Sequence, residues 1–253
     1  MEDLIFKAEQ GDADAQFALG EYYYRGAEDG VQDYEQAVYW YRKAAEQGYA
    51  DAQYKLGYCY DEEGDALPED YEQAVYWYRQ AAEQGHAEAQ DNLGCCYSFG
   101  DGVPQDKEQA VYWYRQAAEQ GDASAQHNLG LSYEFGVGVS QDKEQAVYWY
   151  RKAAEQGHAQ AQYALGRCYR KGSGVSQDYE QAVYWFRQAA EKGNSYAQFY
   201  LGSCYENGKG VPEDKQEAIY WYYKSADQGN ICAQGALDRL QGKWYRLIKE
   251  LSE

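Results

Sequence analysis

A 17-residue pattern of hydrophobic and polar positions recurs six times along this chain, almost letter for letter. Its third copy reads Gln-Asp-Lys-Glu-Gln-Ala-Val-Tyr-Trp-Tyr-Arg-Gln-Ala-Ala-Glu-Gln-Gly from Gln105 to Gly121. Successive tryptophans of the pattern are separated by 37 residues once and then by 36 residues four times, at Trp40, Trp77, Trp113, Trp149, Trp185 and Trp221. A fixed period of this length predicts a chain of stacked supersecondary units.

Each copy of the pattern has the signals of one α-helix, which we call helix B. In the third copy Asp106 stands at the N-cap position and Gly121 stands where a glycine ends a helix, with no proline or glycine between them. At about 100° per residue, one side of the first copy carries Ala37, Trp40, Tyr41 and Ala44, and the other carries Glu35, Tyr39, Arg42 and Glu46. Helix B is therefore predicted to bury its tryptophan and alanines. It is also predicted to expose one tyrosine per copy, and we call these six residues the outer tyrosine column: Tyr39, Tyr76, Tyr112, Tyr148, Tyr184 and Tyr220. The column is either a second interface or a row of rings packed on neighbouring charged side chains.

A second, more variable helix precedes each helix B. This helix A has the frame Ala15-Gln16-x-x-Leu19-Gly20-x-x-Tyr23, which returns from Ala52, Ala89, Ala125, Ala161 and Ala197. The glycine-rich connections between A and B lack the strand and the Lys-Ser/Thr of a phosphate-binding loop, so they are predicted to be turns. The repeats are predicted at residues 12–48, 49–85, 86–121, 122–157, 158–193 and 194–229, within a single domain of residues 1–253.

The two ends of the chain are predicted to cover the repeats. Residues 1–11 match the end of a helix B and are interpreted as an N-terminal half-repeat. Residues 230–253 begin as a seventh helix A and then leave the frame, with hydrophobic residues at helical spacing at Trp244, Leu247, Ile248 and Leu251. We interpret this segment as a C-terminal capping helix. A docking helix for a partner is the alternative.

The frame Ala-x-Ala-Gln-x-x-Leu-Gly-x-x-Tyr, a Gly-Val loop and then Asp-x-x-Gln-Ala-Val-x-Trp-Tyr-x-x-Ala-Ala-x-x-Gly resembles the Sel-1-like repeat over nearly the whole chain. The resemblance implies an all-α protein, a right-handed superhelical solenoid of six αα-hairpin repeats with terminal capping helices, and A helices that line the concave side. It also implies an interaction scaffold and not a catalyst. Bacterial members that resemble this chain serve as adaptors, as host-interaction factors or as immunity proteins against toxins.

The positions of helix A that change between repeats are predicted to form a partner-binding surface. In the first repeat these positions fall within a stripe about 120° wide, and the constant residues fall on the complementary side. We call this stripe the variable A-helix face and predict that it binds a protein or peptide, with aromatic anchors toward its ends and polar groups in the middle. Neutral drift on a solvated face and a small-ligand site are the alternatives. Its members are Phe17, Glu21, Tyr54, Lys55, Tyr58, Asp91, Asn92, Ser98, His127, Asn128, Glu134, Tyr163, Arg167, Arg170, Phe199 and Tyr200.

The charge of the chain narrows the classes of partner. With 23 basic and 42 acidic residues the net charge is −19, which argues against nucleic acid and against an anionic membrane surface. It leaves two interpretations, solubility alone or a basic protein partner such as a toxin. No signal-peptide pattern follows Met1 and no apolar run is long enough to span a membrane, so we expect a cytoplasmic protein.

The cysteines and histidines do not form a pattern typical of catalysis or metal binding. Four cysteines share one position of helix A in Cys59, Cys96, Cys168 and Cys204. They are expected to be reduced core residues, because equivalent positions lie about 8–10 Å apart and a disulfide needs Cα atoms within about 7 Å. A nucleophilic pair of Cys95 and His127 would need an orienting group and an oxyanion pocket. We therefore predict a non-enzymatic chain with no catalytic residue, no metal site and no cofactor.

Overall fold

A computed structural model describes residues 1–26, 31–61 and 70–252 of the chain, apart from the side chains of residue 241 and residues 243–252. The described residues form fourteen helices and contain no strand. Six A helices are α2 (Ala13–Arg25), α4 (Ala50–Asp61), α6 (Ala87–Phe99), α8 (Ala123–Phe135), α10 (Ala159–Lys171) and α12 (Ser195–Asn207). Six B helices are α3 (Tyr34–Glu46), α5 (Tyr71–Glu83), α7 (Lys107–Glu119), α9 (Lys143–Glu155), α11 (Tyr179–Glu191) and α13 (Lys215–Asp227). The all-α architecture of six helix pairs is confirmed.

The chain divides into two compact units by its internal contacts. The first unit comprises Met1–Ala125 with Val137–Val139, and the second comprises Gln126–Gly136 with Ser140–Glu253. Within each unit a helix contacts the helices that precede and follow it in the chain, as in α4 with α5 and α10 with α11. This pattern is typical of repeat proteins, in which each unit packs on its nearest neighbours.

The predicted helix boundaries of the B pattern are confirmed by local hydrogen bonds. At the start of α7 the Asp106 carboxylate accepts from the backbone N–H groups of Glu108 and Gln109, both at 3.0 Å. At its end Gly121 adopts a φ of 103°, which favours glycine. The Gly121 N–H then donates to the Ala118 carbonyl, and the next N–H donates to the Ala117 carbonyl. These two bonds form a Schellman motif and satisfy carbonyls that the helix leaves open.

The core of each repeat is centred on one aromatic residue of helix B that lies next to the tryptophan. This inner aromatic column comprises Tyr41, Tyr78 and Tyr114 in the first unit, and Tyr150, Phe186 and Tyr222 in the second. The frame glycine of helix A makes room for it: a Cβ added at Gly130 would lie 2.6 Å from Tyr150 Cδ1. Gly130 is therefore required for the close approach of α8 and α9.

The tryptophans lie on the predicted side of helix B, but they are less deeply buried than the inner aromatic column. Trp149 and Trp221 are 8% exposed, whereas Trp40, Trp77, Trp113 and Trp185 are only half-buried. Each indole lies edge-on against the preceding tyrosine, with ring centroids 4.8–5.1 Å apart. The deepest aromatic contact of each repeat is thus made by the residue that follows the tryptophan.

The glycine-rich connections are turns, as predicted, and they also hold neighbouring repeats together. Gly138 has a φ of 69°, and a Cβ at this position would overlap the backbone carbonyl of Lys107 at the start of the preceding B helix. Gly102, Gly174 and Gly210 make the equivalent approach. In the first two repeats, residues 27–30 and 62–69 of these connections lie outside the described residues.

Both terminal segments form helices that pack on the adjacent repeat. Helix α1 (Glu2–Glu9) places Ala8 against Ala15 and Leu19 of α2. Helix α14 (Ile231–Ser252) packs Ala233, Leu237 and Leu240 against residues of α13, as a capping helix would. The predicted apolar positions Trp244, Leu247, Ile248 and Leu251 lie outside the described side chains.

Candidate functional site

The constant Ala, Gln, Leu and Gly residues of helix A are buried, whereas its constant tyrosine is half-buried in every repeat except the second, where Tyr60 is buried. In α6, for example, Ala89, Gln90 and Leu93 are at most 4% exposed. Asp91 is 7% exposed, so this member of the predicted set is a buried side chain and offers a partner little surface. All the other members are half-buried: Phe17, Glu21, Tyr54, Lys55, Tyr58, Asn92, Ser98, His127, Asn128, Glu134, Tyr163, Arg167, Arg170, Phe199 and Tyr200.

Several variable side chains accept hydrogen bonds from the inner aromatic column. The Tyr41 hydroxyl donates to Glu21 Oε1 at 2.7 Å in the first unit, and the Tyr150 hydroxyl donates to Glu134 Oε2 at 2.7 Å in the second. Tyr78 and Tyr222 donate to Asp61 and Glu206, which the sequence analysis did not single out. The Tyr114 hydroxyl donates to the sulfur of Cys95 at 3.5 Å. Variation at these positions therefore exchanges one internal acceptor for another.

Burial and these hydrogen bonds raise the pKa of the buried tyrosines and shift the pKa of one acceptor, Glu21. Burial and the carboxylate of Glu134 raise the pKa of Tyr150 well above its usual value, so the hydroxyl stays a donor. Burial raises the pKa of Glu21, but the Tyr41 hydroxyl, Lys55 and Arg25 more than offset it, and the net pKa is lowered. Glu21 is therefore ionised at neutral pH, and the hydroxyls of Tyr41 and Tyr150 are neutral.

Some of the same carboxylates also join successive A helices. In the first unit Lys55 Nζ of α4 lies 3.6 Å from Glu21 Oε1 of α2. In the second unit Arg167 Nη2 of α10 lies 3.0 Å from Glu134 Oε1 of α8, and Arg239 of α14 lies 2.7 Å from Glu206. These pairs show that part of the variable face serves to align neighbouring repeats. The sequence did carry a signal for these carboxylates, which recur at Asp61, Glu134 and Glu206, three residues after the helix A position that Glu21 holds in the first repeat.

The aromatic members of the face pack in ring clusters in both units. In the first unit Phe17 lies 5.2 Å from Tyr49, and Tyr54 stacks on His86 at 4.7 Å. In the second unit the ring of Tyr200 stacks on Phe186 at 5.4 Å and on Tyr163 at 6.0 Å. Each cluster combines partly exposed ring surface with a rigid base, which is the composition of a protein-binding hot spot.

The polar members of the face are also engaged with their surroundings. Ser98 accepts from Lys107 Nζ at 3.2 Å in the first unit. In the second unit His127 stacks on His158 with ring centroids 5.0 Å apart. Burial and the neighbouring His158 lower the pKa of His127 to about 4, so its imidazole is neutral at physiological pH.

The described residues provide no support for a catalytic site. Burial and Asp91 raise the pKa of Cys95 to about 11, so the thiol is protonated at neutral pH and is a weak nucleophile. No group of three or more His, Cys, Asp or Glu residues in the described part of the chain is placed to hold a metal ion. Three of the four aligned cysteines, Cys96, Cys168 and Cys204, are buried as expected, whereas Cys59 is half-buried.

The outer tyrosine column is exposed, as predicted. Its six rings are each about half accessible to solvent, between 48% and 52%. Lysine side chains lie over several of them, with Lys43 Nζ 5.7 Å from the Tyr39 ring centre and Lys224 Nζ 4.8 Å from the Tyr220 ring centre. This column is a second, more uniform surface, and because it repeats the same residue it lacks the variation expected of a selective site. Over the described residues, no helix has the length and apolar composition needed to cross a membrane.

Comparisons with known proteins agree with this architecture. The family model of the Sel1 repeat matches residues 13–49, 50–86, 87–122, 123–158, 159–194 and 195–230. A crystal structure of a protective antigen present in uropathogenic Escherichia coli strains is 43% identical, with a TM-score of 0.87 over 95% of this chain and 52% of that chain. The present chain therefore spans about half the length of the Escherichia coli protein.

Two further solved structures are similar. A Sel1 repeat protein from Oxalobacter formigenes is 39% identical, with a TM-score of 0.82 over 94% of this chain and 68% of that chain. An immunity protein from Pseudomonas aeruginosa is 21% identical, with a TM-score of 0.53 over 87% of this chain and 82% of that chain, and this likeness concerns the fold alone. No curated protein matches the chain. Sel1 repeat proteins generally mediate protein–protein interactions and are typically not enzymes. Six matched repeats between residues 13 and 230, together with the helix pairs described above, show that the chain belongs to the Sel1 repeat family.

Proposed function

We propose that this chain is a non-enzymatic scaffold that binds a protein or peptide partner through its variable A-helix face. The observation that supports the proposal is the contrast between the two helices of each repeat. Helix B presents nearly the same residues in every copy, with an exposed tyrosine at the same position each time, whereas helix A presents different, half-buried side chains beside its constant Ala, Gln and Leu residues. Half-buried aromatic and arginine side chains can bury more surface on binding without losing much side-chain entropy.

The proposal includes a division of labour within the face. Glu21, Lys55 and Glu134 are already paired inside the protein, so they position their neighbours. Tyr54 and Tyr58 in the first unit, and Tyr163, Phe199 and Tyr200 in the second, are the anchors that would fill pockets of the partner. Whether the face lies on the concave side depends on the shape of the whole chain, so this location stays a prediction.

Exchanging side chains between repeats tests the proposal without introducing a foreign residue. The variant Y54H/Y58L places in repeat two the side chains that repeat four carries at His127 and Leu131. A partner is first identified by photo-crosslinking from position 58 in an extract of the native host, with crosslinking from the exposed Tyr76 as the matched control. Dissociation constants of the purified pair are then measured by calorimetry.

We expect Y54H/Y58L to weaken binding by about tenfold or more, because truncating a hot-spot residue costs about 2 kcal/mol. Y76A should change affinity by less than about twofold, and both variants should keep the wild-type circular dichroism spectrum. Loss of binding in Y76A with full binding by Y54H/Y58L would assign the interaction to the outer tyrosine column.

An immunity protein that covers a toxin is a second candidate, and the net charge of −19 favours it, since many toxins that act on nucleic acid are basic. If the captured partner is such a toxin, adding one equivalent of this chain should abolish its activity. Unchanged toxin activity at saturation would exclude this candidate.

A host-interaction factor is the third candidate. It is supported by the 43% identity to a protective antigen of uropathogenic Escherichia coli. In that case the partner captured by crosslinking should come from host-cell extract and not from the bacterium. Capture from bacterial extract alone would count against it.

A further inference from the structure

Repeat five departs from its neighbours at one internal contact. In repeats four and six of the second unit, a buried tyrosine donates to a carboxylate near the end of helix A, Tyr150 to Glu134 and Tyr222 to Glu206. In repeat five both partners differ, because Phe186 has no hydroxyl and Arg170 takes the place of the carboxylate. Losing donor and acceptor together leaves neither unsatisfied, and Phe186 remains fully buried. The guanidinium of Arg170 is therefore not needed as a partner for the core.

The surroundings of Arg170 leave its guanidinium available. It lies over the ring of Tyr200, with its central carbon 4.7 Å from the ring centre, which holds the planar group in one orientation. Its Nε is buried and has no acceptor among the described residues. One turn earlier, Arg167 is instead bound to Glu134 at 3.0 Å. The buried Nε is closed to a partner, so an incoming acceptor would contact the terminal nitrogens of this half-buried side chain.

The segment of sequence that contains Arg170 has a charge opposite in sign to that of the chain. Residues 156–177 contain Arg167, Arg170 and Lys171 and no acidic residue, in a protein with a net charge of −19. On the adjacent side of α10, Lys171, Arg167 and Lys143 line an open cleft of about 470 Å³ together with the single carboxylate of Glu134. This end of α10 therefore attracts anions, although most of the chain repels them.

We propose that the last turn of α10, centred on Arg170, is a subsite that binds an acidic side chain, glutamate or aspartate, of the partner protein. The inference deepens the proposed function and rests on it. A carboxylate matches the planar fork of an arginine with two parallel hydrogen bonds, and the ring of Tyr200 supports the fork from one side. The subsite therefore contributes polarity and orientation, and Tyr163 and Tyr200 contribute apolar contact beside it.

Labelled hexaglutamate and hexaglutamine peptides test the subsite by fluorescence anisotropy. We expect wild-type protein to bind hexaglutamate at least about tenfold more tightly, because one hydrogen bond to a charged group is worth about 1.5–3 kcal/mol. R170Q should remove this preference. K224Q, which removes one positive charge from an exposed B-helix side chain of the same unit, should retain it.

A double variant keeps the test independent of folding. R170E/F186Y gives repeat five the tyrosine–carboxylate pair of repeats four and six, so it should fold with wild-type circular dichroism and show no preference for hexaglutamate. Equal binding of the two peptides by wild type would overturn the proposal, as would a preference that survives in both variants. Stronger competition by a hexapeptide with one phosphoserine than by hexaglutamate would also overturn it.

The partner itself separates this inference from the proposed function. If R170Q binds the partner as tightly as wild type while Y54H/Y58L does not, the acidic subsite is wrong and the scaffold stands. If neither variant affects the binding of any captured partner, the variable A-helix face is not the binding surface.

Discussion

The hydrogen bond between Tyr150 and Glu134 allows a quantitative test of the claim that variable positions hold the core. Tyr150→Phe removes the hydroxyl that donates to Glu134 Oε2 at 2.7 Å and keeps the ring against Gly130, so no cavity forms. Hydrogen bonds to charged groups contribute about 1.5–3 kcal/mol. Glu134 keeps its ion pair with Arg167 in the variant and is not left without a partner. We therefore expect a loss of about 1–2 kcal/mol in the free energy of unfolding.

The assay must follow the second unit, because repeat arrays need not unfold in a single step. Amide hydrogen exchange of α8 and α9 reports their local opening, and urea unfolding followed by circular dichroism reports the whole chain. The cycle of Y150F, E134Q and the double variant isolates the pairwise term, expected at about 1 kcal/mol.

Phe186 provides the internal control, since it occupies the same position in repeat five without a hydroxyl. Phe186→Tyr alone should destabilise the second unit, because the new hydroxyl would face Arg170 and not a carboxylate. Adding R170E should recover the lost stability. The reasoning is refuted if Y150F matches wild type within about 0.3 kcal/mol while E134Q alone is strongly destabilising. In that case the carboxylate would stabilise through Arg167 only.

Four further predictions follow from the same geometry. Gly138→Ala should lower stability by more than about 2 kcal/mol, because its φ of 69° disfavours a side chain and the new Cβ would overlap the Lys107 carbonyl; an unchanged melting temperature would contradict this packing. The free energy of unfolding should fall as the pH drops from about 6.5 to about 4, because the folded state lowers the pKa of His127 and the unfolded chain takes up the proton first. In H127N the midpoint of urea unfolding should depend less on pH over this range. Asp142→Ala should cost about 1 kcal/mol and Asp142→Asn much less, measured by urea unfolding, because this side chain caps α9. Burial raises the pKa of the Cys168 thiol to about 12. Mass spectrometry of native protein at pH 8 should therefore show far slower alkylation of Cys168 than of the exposed Cys232. Equal rates would indicate that α10 opens readily.

The helices and their buried and exposed faces could be predicted from the amino-acid sequence, because the signals for both are local. Asp106 and Gly121 start and end α7 through bonds to backbone groups no more than five residues away. The side on which Tyr39 lies follows from about 100° per residue, and the ring is exposed as this angle predicts. The family could also be recognised from the sequence, because the same residues recur at the same spacing in six copies.

The contacts of the variable side chains could not be predicted from the sequence, because they depend on how the helices pack. Glu21 and Lys55 are 34 positions apart in the chain and meet because α2 and α4 pack side by side. The acceptor for the inner aromatic column comes from one position of helix A at Glu21 and from another, three residues later, at Glu134. No sequence period reveals this exchange, because either position reaches the same buried hydroxyl once the helices pack. The same packing leaves the buried Nε of Arg170 without an acceptor among the described residues, which can be recognised only once its neighbours in space are known.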